Sequence, residues 1–182
     1  MPSIPILLLC LNVISFRTTC DPLSPKPVSD SSNARLRNVR VVFLMATDCP
    51  ISRQYVPVIR DFRDTWHAKG LGKTSLVFCN GPKQGHRGVV SEFLKEFGLD
   101  LPWRTDRGNR YARRMGTRVV PEVLVFRSGH LLYIGAIDDM FAGLGLRRPV
   151  TSEHYLADAL EAIRNGRIPE PARRPAYGCL IE

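Results

Sequence analysis

Apolar positions recur along the chain with two periods. Val39–Thr47 is a run of β-formers and predicts a first strand. After Cys49 the period becomes helical: Tyr55, Ile59, Phe62 and Trp66 fall on one face, Pro57 is expected to kink the helix, and Gly70 and Gly72 end it. Ser75–Cys79 is a short apolar strand, followed by a glycine-rich basic loop at Gly81–Gly88. Val89–Phe97 reads as a second helix with Val90, Phe93, Leu94 and Phe97 inward, and Asn109–Met115 as a short third. Glu122–Arg127 and His130–Ala136 flank Ser128-Gly129, a two-residue hairpin signal. The last helix spans Ser152–Asn165, with Thr151 or Ser152 as cap and Tyr155, Leu156, Ala159, Leu160 and Ile163 inward. Strands separated by helices require a parallel pair, and the tight hairpin adds antiparallel strands. The expected fold is therefore α/β, a mixed central sheet with helices on both faces.

The flanks differ in character. Ile4–Phe16 is apolar but shorter than the span of about 20 residues that a membrane helix needs. It fits the h-region of a secretory signal, although no Lys or Arg precedes it. Residues 1–20 are thus expected to be a signal peptide or apolar leader, which implies an exported (periplasmic or secreted) protein and otherwise a cytoplasmic one. Residues 21–38, rich in Pro, Ser and charge, read as a linker; 39–166 as one domain; and 167–182 as a basic, proline-rich tail ending in Gly178-Cys179-Leu180-Ile181-Glu182.

A hydrophobic fraction of 44% suffices for a full core. The net charge of +9 comes largely from arginines spread over helices, loops and tail without interleaved aromatics. That favours a solvated basic surface, or an acidic protein partner, over nucleic acid. Five cysteines (10, 20, 49, 79 and 179) form neither a C-x-x-C pair nor a zinc pattern, and His67, His86, His130 and His154 show no ligand spacing. No metal and no cofactor is expected. Asp138-Asp139 reads as a turn or capping pair.

Cys49 is the candidate for chemistry. It sits between a strand and a helix, where free N–H groups and the helix dipole favour a thiolate. Ser52 stands where the second cysteine of a dithiol pair would be, so a mixed disulfide must be resolved by another thiol: Cys179 on the tail, or Cys79, which otherwise reads as core.

The strand-turn-Cys49-helix unit, Pro57 in the first helix, Val120-Pro121 ahead of the hairpin and the closing amphipathic helix together resemble the thioredoxin superfamily across roughly Val39–Asn165. The strings TDCPIS, VVPEVLVF and YIGAIDD resemble exported redoxin-domain proteins of the TlpA-like and AhpC/TSA-type branch. The resemblance implies a three-layer thioredoxin-like fold and a cis peptide bond before Pro121. It also implies a catalytic role for Cys49, Cys179 and Pro121, with substrate contacts at Thr47, Pro50, Ser52 and Val120. The implied activity is thiol–disulfide exchange on a protein disulfide or oxidised thiol, with an external thiol reductant. A peroxidase is the alternative, but Ala46 and Val42 occupy the positions of the peroxiredoxin threonine and proline. A non-catalytic binding module is the other. Glu122 is read as a solvent-facing strand residue, with proton transfer as its functional alternative.

Overall fold

The computed structural model describes residues 30–80 and 87–181. The apolar run Ile4–Phe16, Cys10, Cys20 and most of the basic loop, including His86, lie outside the described residues. No helix among the described residues is long and apolar enough to cross a membrane.

Strand β1 (Val39–Met45) is buried at every position but Arg40, because it is covered on both faces and paired on both edges. It runs parallel to β2 (Lys73–Asn80) and antiparallel to β5 (Glu122–Arg127), with Val41 opposite both Thr74 and Val125. The sheet has the order β3-β2-β1-β5-β6-β9, where β3 is Trp103–Arg107, β6 His130–Gly135 and β9 Arg173–Arg174. Helix α2 (Pro50–Ala68) carries Phe62, which meets the Phe43 ring of β1 edge-on and stacks on Trp66. Helix α3 (Arg87–Glu96) brings Phe93 against Phe78 of β2. Helix α4 (Arg110–Met115) precedes β4 (Val119–Val120), and α5 (Tyr155–Arg164) closes the domain. The result is a mixed sheet flanked by helices, as the period changes predict.

Four local features differ from the sequence reading. Helix α1 (Asp30–Arg37) occupies the second half of the segment read as a linker; Leu36 anchors it in the core, and it packs against α5. Strand β3 was unread because it is a polar edge strand, with only Asp106 buried along WRTDR. Helix α5 starts at Tyr155 rather than Ser152, because the Ser152 N–H and hydroxyl and the Glu153 N–H all donate to Asp139. The tail, read only as basic and proline-rich, pairs as strands. Its β9 lies parallel to β6, and β10 (Cys179–Leu180) lies antiparallel to β4. A small antiparallel pair, β7 (Phe141–Gly143) with β8 (Leu146–Arg147), completes the elements.

Candidate active site

The carboxyl end of β1 delivers a turn that places Cys49 at the mouth of α2. The Cys49 N–H donates to the Ala46 carbonyl at 3.3 Å, and the Arg53 N–H to the Cys49 carbonyl at 3.1 Å, which starts the helix. Cys49 is the N-cap residue, with an extended backbone, and its sulfur accepts from the Ser52 N–H at 3.4 Å. The Ser52 hydroxyl in turn accepts from the Ala46 N–H at 3.2 Å, which ties the turn to the helix. Arg53 closes the turn from outside: its Nε donates to the Thr47 carbonyl at 3.1 Å while the guanidinium lies over the Phe93 and Phe97 rings. A negative charge developed on the Cys49 sulfur thus meets a backbone N–H and the positive end of a helix nineteen residues long.

The opposite wall is β4. The Val120–Pro121 bond is cis, and the Val120 carbonyl oxygen lies 3.4 Å from the Cys49 sulfur. On the outer edge of β4 lies β10, with Cys179 opposite Val120 and Leu180 opposite Val119, and the Ile181 N–H donates to the Arg118 carbonyl at 3.0 Å. This pairing brings Cys179 to Cys49. The two form a disulfide across 130 residues of sequence, with Cα atoms 5.9 Å apart.

The site residues expected from sequence therefore divide. Cys49, Cys179, Pro121 and Val120 come together. Pro50 is exposed in the first turn of α2. Thr47 and Ser52 are buried, Ser52 completely, and their polar groups hold the turn; neither faces outward to meet a substrate in this state. Cys79 is a free thiol within β2, fully buried. Burial, with the Asp106 and Glu122 carboxylates nearby, pushes that thiol far up, so it stays protonated and inert. Glu122 is not solvent-facing. It is buried with Oε2 lacking a hydrogen-bond partner, and burial raises its carboxyl against the opposing pull of Thr117 and Arg173.

A cavity of about 230 Å³ is walled by Tyr55, Pro121, Asp138, Phe141 and, from the tail, Tyr177. The Tyr55 hydroxyl donates to Asp138 at 2.6 Å; burial, then this carboxylate, raises its pKa well beyond the ordinary phenol range. Asp138 also accepts from the Met140 N–H at 2.9 Å, and Asp139 binds the chain ahead of α5, which makes the pair structural. Among the described residues no three His, Cys, Asp or Glu side chains converge as a metal site.

Similar solved structures share this framework. A hypothetical protein of Sinorhizobium meliloti superimposes with a TM-score of 0.67 at 20% identity, over 81% of this chain and 80% of that one. An uncharacterized conserved protein of Geobacillus kaustophilus gives 0.63 at 17% identity, over 80% and 77%. A thioredoxin-like protein solved in its oxidized form gives 0.56 at 15% identity, over 72% and 80%. This chain has the thioredoxin-like fold. No protein-family model matches the sequence, and no curated protein matches it significantly. The cis bond before Pro121 is the one the sequence resemblance implies. Sequence reasoning missed Arg53, which holds the turn through the Thr47 carbonyl, and Gly178, whose role depends on a close backbone approach that no local pattern encodes.

Proposed function

We propose that this protein is a thiol–disulfide oxidoreductase that works through Cys49 and is resolved by Cys179. The observation that carries the reading is the disulfide between them, set at the start of α2 and against the strand before the cis-proline. In the reduced protein, the Cys49 thiolate attacks one sulfur of a substrate disulfide. A Cys49–substrate bond forms, the substrate S–S bond breaks, and the second substrate sulfur leaves as a thiolate. The Cys179 thiolate then attacks the Cys49 sulfur, releasing the remaining substrate sulfur as a thiol and closing the intramolecular disulfide. An external dithiol reductant returns both cysteines to thiols. The Ser52 N–H stabilises charge on Cys49 each time that residue is attacking or leaving group. An apolar leader suited to export fits a site of action where disulfides persist.

The test is reductant-driven turnover of a model protein disulfide. Wild type is expected to turn over and Cys49→Ser to be inactive, while Cys179→Ser accumulates the Cys49–substrate mixed disulfide, seen by non-reducing peptide mapping. Unchanged turnover in Cys49→Ser overturns the mechanism. Rapid, saturable peroxide consumption by wild type, with no disulfide turnover, would replace it with the peroxidase reading.

A further inference from the structure

We propose that the edge of β4 is a peptide slot, that the tail occupies it as a stand-in for substrate, and that the partner accepted in its place is an extended segment of the pattern Gly-Cys-x-apolar. This rests on the exchange reaction assigned to Cys49 and names the substrate that the same site takes.

The tail shows what the slot requires, one residue at a time. The cysteine stands opposite Val120, where its sulfur meets Cys49. The residue before it is Gly178, which is buried so closely against β4 that a Cβ there would overlap the Val120 carbonyl. Any side chain at that position must push the strand off the edge, and with it the sulfur. The residue after the cysteine is unconstrained: Leu180 is 78% exposed. The next, Ile181, packs partly buried against the core, and its N–H is held by the Arg118 carbonyl. Main-chain pairing supplies attraction, and two side-chain positions supply selectivity, the pattern of strand addition to a sheet edge.

The tail and a partner cannot both pair with Val119–Val120. Attack by Cys49 on the partner's cysteine therefore requires the tail to be off the edge, and its return expels the partner. The steps balance. The partner's disulfide gains two electrons as its outer sulfur leaves as thiolate and its inner sulfur is later displaced by Cys179. Cys49 and Cys179 lose two in forming their bond, and a dithiol reductant restores them. Resolution and product release become a single strand exchange.

The experiment uses full-length Cys179→Ser protein and three disulfide probes. These are the pentapeptide Tyr-Gly-Cys-Leu-Ile activated at its cysteine as the pyridyl disulfide, the same peptide with alanine for glycine, and small 2,2′-dipyridyl disulfide. The glycine peptide is expected to couple to Cys49 at least roughly tenfold faster than the alanine peptide, equivalent to about 1.4 kcal/mol in the barrier. Equal peptide rates alongside prompt reaction with dipyridyl disulfide overturn the slot and leave the exchange reading standing. No reaction of Cys49 with any probe overturns both. A second variant keeps both cysteines: after reduction, Gly178→Ala is expected to re-form Cys49–Cys179 with oxidised glutathione much more slowly than wild type. Re-formation at the wild-type rate overturns the slot independently.

Discussion

Ser52 reads in the sequence as a lost cysteine, and in the fold it is a fully buried hydroxyl that accepts the Ala46 N–H. Its replacement by alanine leaves that buried donor unpaired, so Ser52→Ala is expected to cost about 1–3 kcal/mol in denaturant unfolding. The companion residue Glu122 behaves oppositely. Its folded carboxyl titrates above its unfolded value, so unfolding is favoured progressively as pH rises from about 4.3 through the folded value. Glu122→Gln should flatten the decline of stability with pH over that window, measured by urea midpoints; an unchanged slope would refute the assignment. Cys49, Pro121 and Cys179 were legible because their chemistry or backbone restriction is carried by residue type. The roles of Ser52, Glu122 and Gly178 were not, since burial and close approach are set by segments distant in sequence.

Among the elements, long periodic segments were readable and short ones were not. The helix from Pro50, the β5–β6 hairpin and α5 follow from spacing, whereas α1 has a single buried apolar anchor, Leu36, and β9 and β10 have two residues each. The start of α5 shows how a cap can be borrowed: Ser152, the expected cap, serves Asp139 instead. Backbone N–H of Glu153, then the Ser152 hydroxyl and N–H and the Arg148 charge, hold the Asp139 carboxyl down to about 2. Its contribution is present above about pH 4, the unfolded value, and is lost as pH falls from there towards about 2. Wild type is expected to lose stability over that acid range relative to Asp139→Asn, which shows no such loss; parallel acid titrations followed by circular dichroism would decide it. The arginines read as simply solvated are also partly employed within elements: Arg104 lies 4.2 Å from the Tyr111 ring centre and Arg174 4.4 Å from that of Tyr155.

For the whole molecule, the disulfide ties the first strand's turn to the tail across 130 residues. In the chain-entropy account, closing a loop of that length restricts the unfolded chain by an amount worth about 5 kcal/mol. Reduction, or Cys179→Ser, should lower the unfolding free energy by up to that figure, and the two should agree. A reduced protein as stable as the oxidised one would place the tail's anchorage in β9 and β10 alone.

Strand β9 carries a consequence of its own. It lies along the outer edge of β6, where Gly135 leaves room for the Arg174 backbone to approach. An open strand edge is a template on which other chains can assemble, and proteins blunt such edges with short, charged strands. Two arginines form the last strand of this sheet, so this edge is guarded by like charges that repel a second copy.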